Sequence, residues 1–226
     1  MEGLLLRVSF DLNQSGLWFA AVCCESQAFQ EIEKIVQYGA KEDAVKVQQI
    51  HHVAYRCRNA KETVEFYRNV LNMDFIMAMA EDRAPSTKAP DPYMHVFLDA
   101  GNGNILAFFE LPNSPPMGRD PNTPEWVQHI SFRVKDEATL SEAKSRAEAA
   151  GLDVLGPTDH GVFKSIYFFD PSGNRLELTA VTATPEQMRR LKTVAPAMLD
   201  EWERTKRPPR QAAWVHETEF AEVVPG

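Results

Sequence analysis

Two stretches decide the fold: Ile50–Arg58, IHHVAYRCR, and Val127–Lys135, VQHISFRVK. Each alternates apolar and polar residues with the period of a half-buried strand. In register, His52 falls on His129, Tyr55 on Phe132 and Arg56 on Arg133. A strand that recurs with its histidine implies a duplicated unit. The histidine at the same place in each copy implies a shared chemical task.

Working outward from the first copy, Asn59 is a helix N-cap with Glu62 at the capping-box position. Val64, Tyr67, Val70 and Leu71 follow at helical spacing, and Asn72 suits a left-handed stop. Phe75–Ala80 and Met94–Asp99 read as strands around a loop at Glu81–Pro92. A turn at Ala100–Asn104 leads to a strand at Ile105–Leu111. The order is β-α-β-β-β. Pro112–Pro124 holds five prolines and no periodicity, so it reads as a linker.

The same order then restarts. The strand Val127–Val134 leads to Asp136 as N-cap and to a helix with Leu140, Ala143 and Ala147 on one face. Gly151 ends that helix. Strands follow at Asp153–Leu155, Lys164–Phe169 and Arg175–Thr179. Thr184 and Pro185 open a C-terminal helix with an apolar stripe of Leu191, Val194, Met198 and Trp202, expected on a sheet edge or a dimer interface. From Arg207 onward the chain reads as extended. Residues 1–48 form an N-terminal extension, with strands at Leu4–Phe10 and Leu17–Cys24 and a helix at Gln27–Tyr38. The modules span 49–111 and 126–181, joined by a linker at 112–125, and 182–226 is a C-terminal helix and tail. The fold class is α+β.

Composition narrows the function. A net charge of −8 leaves no basic surplus for phosphates, so nucleic acid is not an expected partner. No apolar run reaches the length of a membrane span, so no membrane association is expected either. Three cysteines, two of them adjacent, make no disulfide framework, and the expected setting is cytoplasmic.

The final strand of each module carries one glutamate in an apolar run, Glu110 in ILAFFEL and Glu177 in NRLELTA. A carboxylate on the inner face of a sheet is costly unless it is paired, protonated or bound to a cation. Two histidines and two carboxylates at equivalent places are what a pseudo-twofold metal site requires. Imidazole with carboxylate suits Fe²⁺, Zn²⁺, Ni²⁺, Co²⁺ or Mn²⁺. The repeat selects His52 over its neighbour His51, because Gln128 stands where His51 would fall, and alternation sends the two histidines to opposite faces.

The segments IHHVAYRCRNAKETVEFYRNVL, WVQHISFRVKD and IYFFDPSGNRLEL resemble the vicinal oxygen chelate superfamily, over roughly residues 49–181. That group includes glyoxalase I, extradiol ring-cleaving dioxygenases, methylmalonyl-CoA epimerase and bleomycin or fosfomycin resistance proteins. The resemblance implies two βαβββ modules forming a U-shaped mixed sheet around a metal cleft, with His52, Glu110, His129 and Glu177 as ligands. It also implies a small-molecule substrate, an aromatic diol or a 2-oxo compound. The site could close within one chain or across a homodimer.

Three functions stay open. His160-x₆-Tyr167-x₂-Asp170-Pro171-x-Gly173-x₃-Glu177 follows the extradiol dioxygenase signature. The resemblance then implies an Fe²⁺ enzyme cleaving a catechol-like ring, with His160, Tyr167 and Glu177 as catalytic residues. Met94, Phe97, Phe108, Trp126 and Phe163 are aromatic-cleft candidates for that function. Against it, the hairpin Gly101–Asn104 offers Asn104 where ring-cleaving relatives usually carry a histidine. Four retained ligands would suit a glyoxalase- or epimerase-type lyase or isomerase instead, with Glu177 or Glu110 moving a proton on an enediolate. The third function is a metal-free protein that sequesters an aromatic ligand.

Overall fold

In the computed structural model, residues 47–216 are described. From residue 49 on they belong to one compact unit, Gln49–Gly226. The expectations for Leu4–Phe10, Leu17–Cys24 and Gln27–Tyr38 lie outside the described residues.

The first module is β1 (Val53–Cys57), α1 (Ala60–Leu71), β2 (Asp74–Arg83), β3 (Pro90–Asp99) and β4 (Ile105–Glu110). The second is β5 (Ile130–Arg133), α2 (Glu137–Ala149), β6 (Leu155–Asp159), β7 (Phe163–Phe169) and β8 (Arg175–Val181). Each module forms its own four-stranded mixed sheet, in the order β1-β4-β3-β2 and β5-β8-β7-β6. In both, the first strand runs parallel to the last, which the intervening helix makes possible. The duplicated α+β architecture is therefore present.

Local chemistry explains the boundaries. The Asn59 side chain accepts from the Glu62 amide at 2.9 Å, and Asn72 stops α1 with φ 55°. Asp136 caps α2 by accepting from the Thr139 amide at 2.8 Å. The loop expected over Glu81–Pro92 is shorter than that. Strand pairing runs outward to Arg83 and Pro90, and Lys88 takes the left-handed turn with φ 61°. Prolines do not prevent this, because a hairpin end tolerates missing amide donors.

Beyond the modules, α3 (Pro185–Thr205) opens with the expected cap at Thr184, and none of its residues is buried. The tail is not wholly extended. Ala213–His216 forms a 3₁₀ turn, with Ala212 and Val215 buried and Trp214 lying under Arg190 at 4.6 Å. No helix among the described residues is long and apolar enough to cross a membrane.

One apolar core unites the modules. Val64 and Tyr67 of α1 and Leu98, Leu106 and Phe108 of the first sheet share it with Leu140, Ile166, Phe168 and Leu176 of the second module. Both sheets thus turn their helix-facing sides inward to a common centre. Buried Asp170 ties the halves together. It accepts the Tyr67 hydroxyl at 3.1 Å, the Ser172 amide at 2.9 Å, and the amide and side chain of Asn174 at 2.8 and 2.9 Å.

Removing one donor should cost far less than orphaning several. Tyr67→Phe is expected to lower the unfolding free energy by about 1 kcal/mol, and Asp170→Ala by about 3–5 kcal/mol. Urea denaturation of both variants checks the difference.

Candidate metal centre

Alternation along the second sheet decides which side chains reach its outer face. Ile130, Phe132, Ile166, Phe168, Leu176 and Leu178 point into the core. Ser131, Tyr167, Arg175, Glu177 and Thr179 therefore share the opposite face. His129, just before β5, meets Glu177 there, with Nε2 3.0 Å from Oε2. The Glu177 side chain is only 5% exposed. Burial alone would raise its pKa. Hydrogen bonds from Ser165, Tyr167, Ser131 and Thr179 outweigh burial and hold the carboxyl below its ordinary value.

A chain of polar contacts continues from Glu177. The Tyr167 hydroxyl donates to Oε1 at 2.9 Å, and His160 Nε2 lies 2.8 Å from the same hydroxyl. A phenol has one proton, and here the carboxylate receives it. The phenolic oxygen must then accept from His160 Nε2–H, which assigns the imidazole tautomer. Burial, together with the Glu177 hydrogen bond and charge, pushes the Tyr167 pKa up to about 12. His160, Tyr167, Glu177 and His129 are thus brought together.

The first module places its residues differently. Val53, Tyr55 and Cys57 face the core, and His52 lies on the other side against Phe97 and His95, with ring centroids 6.0 and 6.3 Å away. The expected separation of His51 from His52 does not hold, since their Nδ1 atoms are 2.8 Å apart. Both precede Val53, the first residue of the strand, so pleating does not govern them. His95 escaped the sequence reading, although it alternates with Phe97. It stacks on Phe109 at 3.5 Å, and its buried Nε2 has no hydrogen-bond partner among the described residues. Burial, and then the charge of His52, hold its pKa down.

Glu110 is not with the others. Its Oε2 accepts from the Ala60 amide at 2.6 Å, satisfying the first turn of α1. Register explains the correction. Val53 pairs with Leu106 as Ile130 pairs with Leu176, so Ala107, not Glu110, matches Glu177. Glu110 is three residues further along β4, an odd shift that turns it to the helix side. Met94, paired with Glu110, and Phe108, in the core, also face that side, and Trp126 is exposed. Of the apolar candidates, Phe97 lies beside His52 and Phe163 beside His160, 4.8 Å between ring centroids. Asn104 spends its side chain on the Gly101 carbonyl within its own turn.

Two further features were not singled out from the sequence. Arg175 stacks on Tyr167, 4.6 Å from the ring centroid, and alternation with Glu177 was the signal for it. Gly161, beside His160, lies so close to the Val215 carbonyl that a Cβ would sit 1.8 Å from that oxygen. The C-terminal 3₁₀ turn thus braces the His160 loop, a tertiary contact with no local sequence signal.

Comparison with known proteins places this geometry. The family model described as "Glyoxalase/Bleomycin resistance protein/Dioxygenase superfamily" matches residues 49–178. The chain belongs to this superfamily. Among relatives of the superfamily, "Putative ring-cleaving dioxygenase MhqA" of Bacillus subtilis (strain 168) is 28% identical over 139 residues, 60% of this chain and 41% of the relative. The chain thus spans well under half of that relative's length. The fosfomycin resistance protein FosX of Listeria monocytogenes, complexed with Mn(II) and sulfate, is 20% identical with a TM-score of 0.45, covering 62% of this chain and 97% of its own. Lactoylglutathione lyase of Agrobacterium tumefaciens is 22% identical with a TM-score of 0.42, covering 59% and 94%.

The donors present fit a divalent metal in part. His129 and Glu177 converge as an imidazole and a buried carboxylate, a pairing suited to Fe²⁺, Mn²⁺ or Zn²⁺. No group of three such donors forms among the described residues. His52 rests against Phe97 and His95 of the first sheet.

Two outcomes follow. Glu110→Ala should leave metal content unchanged and cost about 1 kcal/mol in stability through the lost helix-end contact; loss of metal on elemental analysis would return Glu110 to the ligand set. Folding keeps the Tyr167 phenol protonated, so its stabilising contribution is full below the ordinary value of 10.0 and is lost as pH rises through about 12. Alkaline ultraviolet titration, differenced against Tyr167→Phe, should show that phenolate appearing near the upper value.

Proposed function

We propose that the protein is a metal-dependent dioxygenase of the extradiol type, cleaving a catechol-like aromatic diol. In this reading, His129 and Glu177 of one subunit and His52 of a second copy hold a single Fe²⁺. The observation that carries it is the continuous run His160–Tyr167–Glu177–His129, with Ala107 where a second carboxylate would stand. Two histidines and one carboxylate leave positions for both a diol and O₂, whereas four protein ligands do not. The printed name of the Bacillus relative points to the same reaction class.

The chemistry supplied by Fe²⁺ when bound there is Lewis acidity toward the diol and electron exchange with O₂. The chain's own residues do the rest. Glu177, held below its ordinary pKa, stays an anion available to a cation. Tyr167 keeps its proton at neutral pH and, donating it to Glu177 as a hydrogen bond, orients that carboxylate. His160 turns its Nε2–H to the Tyr167 oxygen and serves there as a hydrogen-bond donor. The core explains the second copy. With both modules sharing it, His52 and the His129–Glu177 pair lie on separate sheets, and no three such donors meet among the described residues, which supports a second copy as the source of the third ligand.

Protein purified without air should contain iron and consume O₂ with a catechol. His52→Ala and Glu177→Ala should each be inactive alone, yet regain activity when mixed and allowed to exchange subunits. One of the two sites in the mixed dimer is then intact. Failure to complement, with both variants folded, would place the donors within one subunit. Zinc, nickel or cobalt without O₂ uptake would indicate the enediolate chemistry. Absence of metal after supplementation, with ligand binding unchanged in His129→Ala, would indicate sequestration.

A further inference from the structure

We propose that a cavity beside His129 is an anion subsite that selects aromatic diols bearing a ring carboxylate over neutral ones. This deepens the reading of the site as one for an aromatic diol and rests on it. The cavity encloses about 410 Å³ and is lined by Tyr55, Arg58, Arg119, His129, Phe169 and Arg175, among others. Aromatic walls and guanidinium groups thus adjoin the imidazole of the candidate centre.

Charge accounting separates the cation already neutralised from those free to bind an anion. Arg119 is already paired with Glu125. Asp120, also on the wall, turns its carboxylate into its own turn, accepting from the Asn122 amide at 2.9 Å and from Thr123. Arg58 meets neutral acceptors only, the Pro171 carbonyl at 2.6 Å and, through its amide, Ser172 Oγ at 3.0 Å. Arg175 has no carboxylate partner among the described residues, and its buried Nε has no hydrogen-bond acceptor. A buried donor left unpaired is costly, and a ligand oxygen would relieve that cost.

Position favours Arg175 further. It projects from the same face of β8 as Glu177, two residues away. Its guanidinium carbon stands 4.6 Å from the Tyr167 centroid and 6.0 Å from that of Phe169. Aromatic contacts fix the plane of the guanidinium fork, which then matches the two oxygens of a carboxylate. The chain carries a net charge of −8, so the overall field repels anions. Selection for a carboxylate must therefore come from these local guanidinium groups.

Calorimetry on the full chain under nitrogen tests the subsite with two probes, catechol and 3,4-dihydroxybenzoate. The acid should bind at least about tenfold more tightly, the gain of one charge-assisted contact. Arg175→Gln should close the gap between the probes, and Arg175→Lys, which keeps charge but not the fork, should close part of it. Equal affinity of the wild-type protein for both probes overturns the proposal, as does a gap that persists in a folded Arg175→Gln variant. Should that variant not fold, the wild-type ratio and Arg175→Lys still decide. The readout is separate from catalysis. An acid preference without O₂ uptake removes the dioxygenase reading and leaves the subsite standing; O₂ uptake without an acid preference does the reverse.

Discussion

Tyr67, Leu98 and Phe108 of the first module pack in one continuous core with Leu140, Ile166, Phe168 and Leu176 of the second. Strands are pleated, so a residue committed to that core commits its neighbours to the other face. This constraint sends Glu177 to the face opposite the core, where His129 meets it, while His52, just ahead of β1, rests against Phe97 and His95 of the first sheet. Sharing the core secures two small modules that would each bury too little apolar surface alone. It also divides the donor set, and the proposed catalytic unit is accordingly a pair of chains.

Around Glu177 the balance is electrostatic. Desolvation disfavours the carboxylate, and the hydroxyls of Ser165, Tyr167, Ser131 and Thr179 more than offset it. The same hydrogen bond that supports Glu177 pushes Tyr167 toward its protonated form. One contact thus places an anion and a proton donor side by side, with His160 behind them. Charged groups this deeply placed are tolerated when their donors and acceptors find partners, and the site largely meets that condition. The Arg175 Nε–H, without an acceptor among the described residues, does not, which makes it informative.

Much of the architecture was legible in the residues. Periodicity, the caps Asn59, Asp136 and Thr184, and the left-handed stop Asn72 depend on local chemistry, and they stand where the pattern puts them. The repeat located His52 and His129, and the spacing from His160 to Glu177 anticipated a cluster that the sheet assembles. Errors arose where pairing register mattered. Glu110 looked equivalent to Glu177 because both interrupt an apolar run near a strand end. The ladder from Val53 to Leu106 shows Ala107 in that place. The segment Glu81–Pro92 looked like loop because its composition is polar, yet cross-strand pairing extends into it.

By itself the sequence determined the duplicated β-α-β-β-β order, the helix ends and the donor types, since propensity, capping and periodicity act over a few residues. Tertiary structure alone decided which glutamate faces the histidine, that Gly161 must admit the Val215 carbonyl, and that His52 and the His129–Glu177 pair lie on separate sheets. Those outcomes depend on strand register and on contacts between distant segments. A shift of one residue reverses a face, and no local pattern records which register the common core selects.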